Sequence, residues 1–264
     1  MRSNTAIYRS RPVSQNYSKV RISQWSEGAS LSNVSVSNQR STLALSALKG
    51  GLVVSCQVPD GTAIDTPQFI AAQALTVIQA GAIGIRAQGL KNVAAVATVT
   101  RVPIIGLVKR YLDTTPIYIS PTVPDVLELK QAGATIIAVD ATERLRPGAV
   151  SFAEFVRQVR LDTDIPILAD VDTVEAALIA ESLGCEAVAT TLSGYTEKPA
   201  PDLPNIGLVR EISKRVSIPV IAEGGFSRPE HVTQAFESGA WAVCIGTAIT
   251  NPYLLTKGFL EGIR

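Results

Sequence analysis

Histidine is almost missing from this chain of 264 residues, and its scarcity excludes several kinds of active site. Ser–His–Asp and Cys–His nucleophile systems need a histidine beside the nucleophile, and multi-histidine zinc sites need several. The single histidine, His231, follows Pro229 and Glu230 in the first turn of a predicted helix, and we interpret it as a surface residue. Acid–base chemistry in this protein therefore falls to lysine, aspartate, glutamate or tyrosine.

Cysteine, net charge and long apolar runs are scarce as well. The three cysteines, Cys56, Cys185 and Cys244, lack metal-like spacing, so we interpret them as small core residues in a reducing cytoplasm and expect no metal site. A net charge of +1 gives no electrostatic case for binding nucleic acid or a membrane. No apolar run approaches the ~20 residues of a membrane span. The expected ligand is a small molecule.

Aliphatic residues dominate the composition instead. Apolar residues make up 46% of the chain and aromatic residues only 5%, which is typical of buried parallel strands covered by helices. Strand and helix patterns alternate eight times, which predicts a closed (β/α)8 TIM barrel rather than an open doubly wound sheet. The predicted strand cores are residues 52–57, 83–87, 104–109, 136–140, 167–170, 187–191, 220–224 and 243–246.

Two segments precede the first predicted strand. Residues 1–36 are rich in Ser, Asn and Arg, contain one acid (Glu27) and show no apolar periodicity. We predict a disordered or loosely packed extension there, although the composition is also similar to that of a transit peptide. A short helix is predicted within residues 37–50, before Gly51. Residues 37–264 are then expected to form the catalytic barrel domain.

Polar residues stand at the C-terminal ends of the predicted strands, where such barrels carry their active sites. The residues two positions earlier are mostly core types, which predicts one inward register for all eight strands. Burying charges without partners costs several kcal/mol, so we interpret the strand-end residues as a candidate substrate site. Seven strands end in a polar residue, namely Gln57, Arg86, Lys109, Asp140, Asp170, Thr190 and Glu223, and the eighth ends in Gly246. The residues two positions earlier are Ser55, Gly84, Leu107, Ala138, Leu168, Val188, Ile221 and Cys244.

Small residues follow the last two predicted strands. Gly224 and Gly225 come directly after one strand, and Gly246 and Thr247 end the other. Backbone N–H groups at such positions can point at one anion without a side chain in the way. In eight-stranded barrels, the loops after strands 7 and 8 frequently bind phosphate. The pattern therefore predicts a phosphate cradle formed by these four residues.

Two strand-end residues are suited to proton transfer. A lysine that faces a barrel mouth among apolar walls should have a lowered pKa, so Lys109 is the candidate base. Glu223, beside the cradle, is the candidate acid or polariser for a developing enolate. Together they predict proton transfer at a carbon next to a carbonyl in a phosphorylated small molecule. No GxGxxG motif follows the first strand, and this chemistry requires no metal or organic cofactor.

Three charged strand ends allow two interpretations each. Asp140 and Asp170 either contact the substrate, or cap the following helix or pair with Arg144 or Arg146. Arg86 is either a substrate clamp or the partner of a carboxylate, and we favour the clamp.

Nine segments, in order, resemble the N-acetylmannosamine-6-phosphate 2-epimerase family of sialic-acid catabolism. The resemblance covers residues 51–250, which is essentially the whole predicted barrel. Each segment alone is weak evidence for the family. The combination of four motifs is highly specific for it: VSCQ, the VKR of IIGLVKR, DATERLRP and TTLSGYT. The segments are VSCQ (54–57), GIRAQG (84–89), IIGLVKR (104–110), YISPT (118–122), IIAVDATERLRP (136–147), ILAD (167–170), TTLSGYT (190–196), PVIAEGG (219–225) and VCIGTAIT (243–250).

The resemblance implies a cofactor-free interconversion of N-acetylmannosamine 6-phosphate and N-acetylglucosamine 6-phosphate by inversion at C2. On the family's pattern, Lys109 takes or returns the C2 proton and Glu223 handles the sugar oxygens. The sugar and its N-acetyl group would be held by Gln57, Arg86 and Asp170, and the phosphate by Gly224, Gly225, Gly246 and Thr247. Family members often associate as dimers, so a homodimer is expected.

The chain departs from the family at one position near the phosphate. The family's usual AITRP is AITNP here, so Asn251 replaces an arginine that could reach the phosphate. Two other functions remain open at this point. One is a lysine barrel enzyme that forms a Schiff base with a sugar phosphate, and the other is a barrel that binds a sugar phosphate without catalysis.

Overall fold

Eight parallel strands, paired in chain order, form a closed barrel in the computed structural model, which describes residues 43–196 and 200–263. Strand β8 closes the barrel against β1, with Leu52 opposite Val243 and Val53 opposite Cys244. The predicted (β/α)8 barrel is confirmed. The strands are β1 Leu52–Cys56, β2 Gly84–Gln88, β3 Ile104–Leu107, β4 Ile136–Asp140, β5 Ile167–Asp170, β6 Ala187–Ala189, β7 Val220–Glu223 and β8 Ala242–Ile245.

Helices follow the strands because short βα loops end in residues that cap a helix. Thr66, Thr122, Ser151 and Thr173 each accept a backbone N–H from the first turn of the helix that they precede. The helices are α1, described over residues 43–46, α2 Pro67–Gln79, α3 Leu90–Val99, α4 Val123–Gln131, α5 Phe152–Asp162, α6 Val174–Ser182, α7 Ile206–Arg215, α8 Pro229–Glu237, α9 Thr247–Thr250 and α10 Pro252–Glu261.

Alternate strand residues divide the aliphatic core into two layers. One face of each strand packs against the outer helices, and the other fills the inside of the barrel. Both layers are almost fully buried, which at about 25 cal/mol per Å² supplies much of the stability of the fold. The interior layer contains Val53, Ile105, Leu107, Ile136, Ala138, Leu168, Ala187, Ala189, Ile221, Ala242 and Cys244.

The predicted inward register is wrong for β6. Val188, which was expected to face inward, packs in the outer layer with Val220. Ala187 and Ala189 face inward instead. A slip of one residue moves every side chain of a strand to the other face, so the inward position at the end of β6 is Thr191 rather than Thr190.

The N-terminal end of the barrel is closed by the segment that precedes β1. Leu45 and Leu48 are buried in the interior layer, and Trp241 donates its indole N–H to the carbonyl of Leu45 at 3.0 Å. A Cβ at Gly84 would lie 2.5 Å from the terminal methyl of Leu48, so any larger residue there would force the Leu48 side chain to shift. The predicted short helix is helical over residues 43–46, and the predicted extension, residues 1–36, lies outside the described residues.

None of the helices in the described ranges is long and apolar enough to cross a membrane. The three cysteines are buried and free, as the sequence predicted.

Candidate active site

One pocket of about 570 Å³ opens at the C-terminal ends of the strands. Eight predicted site residues line it: Gln57, Arg86, Lys109, Glu223, Gly224, Gly225, Gly246 and Thr247. Three others, Asp140, Asp170 and Thr190, do not. The pocket wall also contains polar side chains that were not assigned to the site from the sequence: Ser55, Gln88, Tyr118, Thr191, Tyr195, Ser227 and Cys244. Ser55 and Cys244 had been placed in the interior register only.

Arg86 is the centre of a buried ion cluster. Its guanidinium binds Asp170 through two parallel hydrogen bonds of 3.0 and 2.6 Å, and its Nη1 also donates to Oε2 of Glu223 at 2.9 Å. Burial opposes the charge, but the two carboxylates outweigh it and raise the pKa of Arg86. The structure therefore gives Arg86 the role of carboxylate partner, although it also lines the pocket. Asp170 is fully buried and acts on the site through Arg86.

Glu223 ends β7 and reaches the pocket beside this cluster. Burial and the nearby Asp170 raise the pKa of Glu223, although Arg86 opposes them. Arg86 donates to Oε2 of Glu223, and Glu223 also has side-chain hydrogen bonds with Cys244 and Thr191, which lower its pKa without offsetting the effect of burial. The carboxyl group can therefore hold a proton at a higher pH than an ordinary glutamate can.

Lys109 comes two residues after the end of β3 and lies in the pocket wall. Burial lowers the pKa of Lys109, and the positive charge of Arg86 lowers it further, while Glu223 acts in the opposite direction. A lysine with a lowered pKa supplies more neutral amine near pH 7. Lys109 therefore lies in the pocket with its pKa shifted in the expected direction, toward that of Glu223.

The segment after Lys109 folds back across the barrel mouth. Lys109 bridges to Ile119, Ser120 donates its N–H to the carbonyl of Val108, and Asp140 donates its N–H to the carbonyl of Ile119. Residues 118–120 thus insert between the ends of β3 and β4. Tyr118 joins the pocket through this insertion, and burial raises its pKa to about 12, so that its phenol stays protonated.

The same insertion separates Asp140, predicted to bind substrate, from the pocket wall. Its carboxylate accepts the hydroxyl of Thr142 at 2.7 Å and the guanidinium of Arg144 at 2.7 Å. Arg146 donates to the carbonyl of Asp140. Asp140 therefore holds its own loop together, which is the second of the two interpretations that the sequence allowed.

Thr190, also predicted to bind substrate, does not line the pocket either. Its hydroxyl donates to the carbonyl of Glu223 at 2.8 Å and accepts the Glu223 N–H at 3.0 Å, so it joins β6 to β7. The neighbouring Thr191 occupies the inward position and contacts Asp170 and Glu223. A short strand of Ala, Val and Ala gave no signal by which to choose between the two threonines.

Gln57 follows β1 and carries an unused acceptor. Its Nε2 donates to the hydroxyl of Ser55 at 2.7 Å, while its Oε1 is buried without a hydrogen-bond partner among the described residues. A buried acceptor without a partner costs about 1–3 kcal/mol. A ligand with an N–H or O–H at this point would remove that cost.

The predicted cradle residues form one end of the pocket. Gly224 and Gly225 adopt φ angles of +106° and +72°, and a Cβ at Gly225 would lie 2.5 Å from Leu203. Gly246 and Thr247 lead from β8 into α9. Among the described residues that line the pocket, the only cations are Arg86 and Lys109, so this end offers neutral donors only.

Asn251 lies in the pocket wall beside the cradle, and 6% of it is exposed. Its side-chain Oδ1 accepts the N–H of Leu254 at 3.0 Å, so it caps α10. The predicted approach of position 251 to this end of the pocket is therefore present. The residue also has a structural role that the sequence did not reveal.

The single histidine is buried, so its interpretation as a surface residue is wrong. Its Nδ1 accepts the N–H of Ser227 at 3.3 Å, and Ser227 lines the pocket. His231 itself does not line the pocket. It therefore supports the loop after the cradle from beneath.

Comparison with known proteins adds family information to this geometry. The model of a family described as "Putative N-acetylmannosamine-6-phosphate epimerase" matches residues 70–264. The chain is 38% identical over 219 residues to a putative N-acetylmannosamine-6-phosphate 2-epimerase of Caldanaerobacter subterraneus, covering 82% of this chain and 92% of that protein. It is 44% identical over 204 residues to a protein of the same description from Klebsiella pneumoniae, covering 76% and 85%.

A solved structure shows the same fold with a related sequence. The N-acetylmannosamine-6-phosphate 2-epimerase from Clostridium perfringens aligns with a TM-score of 0.77 and 37% identity, covering 82% of this chain and 95% of that one. A thiamine phosphate pyrophosphorylase from Pyrococcus furiosus, at a TM-score of 0.54 and 16% identity, shares the fold alone.

Proposed function

The chain belongs to the N-acetylmannosamine-6-phosphate epimerase family, and on that premise we propose that it interconverts N-acetylmannosamine 6-phosphate and N-acetylglucosamine 6-phosphate. The observation that carries the proposal is the pairing of Lys109 and Glu223 in one pocket, with pKa values shifted toward each other. Such a pair can take a proton from one atom of a substrate and give one to another.

The proposed reaction breaks the C2–H bond of the open-chain sugar. Neutral Lys109 takes the proton, and the electron pair forms an enolate across C1 and C2. Glu223 exchanges a proton with the sugar oxygen, where charge develops. The ammonium of Lys109 then returns a proton to C2 once the planar enolate has turned its opposite face to Lys109, which restores the neutral amine and inverts C2. The two residues follow β3 and β7, which are four strands apart in a ring of eight, so they approach the substrate from opposite sides.

The rest of the pocket supports binding of the phosphorylated amino sugar. The unused Oε1 of Gln57 suits the N–H of the N-acetyl group. The cradle residues Gly224, Gly225, Gly246 and Thr247 suit the phosphate through neutral donors. Binding energy from the remote phosphate would hold the reacting carbon in place. We place the reaction in the cytoplasm, where phosphorylated sugars are made and where three free cysteines are compatible with the redox state.

Solvent exchange at C2 tests this proposal. With either sugar phosphate in deuterated water, we expect deuterium at C2 of the product, because the ammonium of Lys109 exchanges its protons with solvent. Proton NMR measures the loss of the C2–H signal. Full retention of the original hydrogen at C2 would contradict proton transfer through solvent-exchangeable groups.

Asn251→Arg is expected to tighten substrate binding about three- to thirtyfold, because a guanidinium binds phosphate with charge-assisted hydrogen bonds worth roughly 1.5–3 kcal/mol against about 1 for neutral ones. The gain should appear mainly in KM and shrink with added salt. Loss of the cap on α10 should cost about 1 kcal/mol of stability, measured by thermal unfolding.

Asn251→Ser is the matched control for this substitution, because serine keeps the cap without adding charge. Its KM should stay near that of the wild type. An unchanged KM for Asn251→Arg would show that position 251 does not face the phosphate.

We further propose that the protein is a homodimer in which α10 of each copy packs on its partner. None of the ten residues of α10 is buried, although the helix is rich in apolar side chains. Phe259 is 81% exposed and Leu260 is 55% exposed. Leu254 and Leu255 of the same helix line the pocket, so a second copy seated on α10 would also shield the pocket from water. Exposed apolar patches of this kind mark association surfaces.

Sedimentation velocity tests the dimer. We expect the wild type to sediment at twice the mass of one chain and Phe259→Ser to sediment as a monomer, because the substitution removes the largest exposed apolar group of α10. Glu261→Ser, on the same helix, is the control and should remain dimeric. A wild type that stays monomeric at about 10 μM would contradict the proposal, since obligate interfaces hold together well below that concentration.

A further inference from the structure

Lys109 lies on one arm of a hairpin that is separate from the barrel strands. Residues 108–120, which we call the lysine hairpin, leave β3 and fold back on themselves. A bridge joins Lys109 to Ile119 on the opposite arm. The N–H of Arg110 also donates to the carbonyl of Tyr118 at 2.9 Å. The position of the Lys109 amine therefore depends on where this hairpin lies.

The loop after β4, residues 141–146, contacts the lysine hairpin through two side chains. Thr115 of the hairpin donates its hydroxyl to the carbonyl of Leu145 at 2.6 Å. Arg144 of the loop donates from Nη1 to the carbonyl of Pro116 at 3.4 Å. Neither Thr115 nor Arg144 lines the pocket, so any effect that they have on the site passes through the hairpin.

The loop is itself held firmly, because its charged groups are paired. The Asp140 carboxylate is buried and accepts from Nη2 of Arg144 at 2.7 Å, and Nε of Arg144 donates to the Thr142 hydroxyl at 2.9 Å. Arg146 donates to the carbonyl of Asp140, and its Cζ lies 4.1 Å from the centre of the Phe155 ring on α5. A guanidinium makes several hydrogen bonds in one fixed geometry. Arg144 therefore connects the hairpin to a loop that β4 and α5 hold in place.

We propose that Arg144 and Thr115 are positioning residues that hold the lysine hairpin against the loop after β4 and thereby keep the Lys109 amine in the pocket wall. This inference rests on the proposed role of Lys109 as the base. Arg144 and Thr115 neither gain nor lose a proton in the reaction. The proposal also gives a function to the segment DATERLRP (140–147), none of which lines the pocket.

The burial of Lys109 is the property that these contacts control. Burial is the largest cause of the lowered pKa of Lys109, and the charge of Arg86 adds to it. Glu223, Asp60 and Asp170 act in the opposite direction. All four of these groups lie outside the hairpin, so a loosened hairpin would move Lys109 away from them and into water. The pKa of Lys109 would then rise toward the ordinary lysine value, and less of the amine would be neutral near pH 7.

Activity as a function of pH tests the proposal. Thr115→Val keeps the shape of the side chain and removes the hydroxyl, and Arg144→Met removes the guanidinium. In both variants the acid limb of kcat/KM should move about one unit to higher pH, because Lys109 becomes more hydrated. Activity at neutral pH should therefore fall about tenfold and return in alkaline buffer, with KM changed less than about twofold.

Two further variants are the controls. Thr115→Ser keeps the hydroxyl and should restore most of the wild-type pH profile. Thr114→Val, at an exposed position beside Thr115, should behave like the wild type.

Chemical labelling that does not depend on turnover separates this proposal from the proposed function. Acetic anhydride acetylates the neutral form of an amine, so the pH dependence of acetylation at Lys109, measured by mass spectrometry, reports the pKa of Lys109. Lys91, exposed on α3, is the internal reference. A wild type in which Lys109 reacts at lower pH than Lys91, but which epimerises neither sugar phosphate, would overturn only the proposed function.

Two outcomes would overturn the positioning role. One is a Lys109 titration that is the same in a variant as in the wild type, which would remove the role from the residue that was replaced. The other is a loss of activity that is equal at every pH and accompanied by a lower melting temperature, which would show that the contacts only stabilise the fold.

Discussion

Lys109→Met is expected to lower kcat at least ~10²-fold, the low end for loss of a positioned base. Methionine matches the length of the lysine stem and cannot accept a proton. Because burial lowers the pKa of Lys109, the active form is the neutral amine. The kcat/KM of the wild type should therefore fall as the pH drops through a pKa below the ordinary lysine value, and Lys109→Met should lose this limb of the profile.

Stability measurements separate this effect from unfolding. A partly buried ammonium costs free energy, so its replacement by an apolar side chain should leave the melting temperature unchanged or slightly higher. Lys91→Met, on the exposed face of α3, is the matched control and should keep full activity. Activity of Lys109→Met within threefold of the wild type would remove Lys109 from the reaction. If borohydride traps the sugar phosphate covalently on the wild-type protein, the result would instead indicate a Schiff base between a lysine and the substrate.

Glu223→Gln is expected to lower kcat by a similar factor of at least ~10². The amide keeps the size of the side chain but cannot take or give the proton that the carboxyl exchanges with the substrate. With Glu223 ionised, the three groups Arg86, Asp170 and Glu223 carry a formal charge of −1. The substitution brings this to zero and leaves Arg86 paired with Asp170 at 2.6 Å, so the fold should not be destabilised.

Steady-state kinetics and thermal unfolding together check this prediction. Glu237→Gln, at an exposed position of α8, is the control and should behave like the wild type. A Glu223→Gln variant that is folded and retains at least a third of the wild-type kcat would show that Glu223 has no part in proton transfer.

The sequence predicted the barrel and the positions of its central reactive groups, because these follow from strand order alone. Eight aliphatic strand cores, separated by the length of one βα unit, predict a closed barrel. Its C-terminal strand ends then meet at one mouth. Lys109 and Glu223 reach the pocket for that reason, and so do the glycines of the cradle.

The other assignments of register and site residues depended on tertiary contacts that a sequence pattern does not predict. The register of β6 could not be read from Ala, Val and Ala, since each fits either face. Asp140 does not line the pocket because residues 118–120, about 20 residues earlier in the chain, insert between the ends of β3 and β4. Arg86 was expected to clamp the substrate, but its two carboxylate partners come from strands that are distant in sequence. Long-range pairing of charges decided the case of Arg86.

The inserted segment 118–120 also sets the direction from which the site is reached. None of the described residues that line the pocket belongs to the loops after β4 or β5, and most of its wall comes from the loops after β1, β7 and β8. The exposed residue Glu143 lies in the loop after β4, away from these loops. A fluorophore or a surface tether attached through a cysteine at position 143 would thus leave the pocket entrance accessible from solution. Position 143 is therefore a suitable attachment site for immobilising the protein.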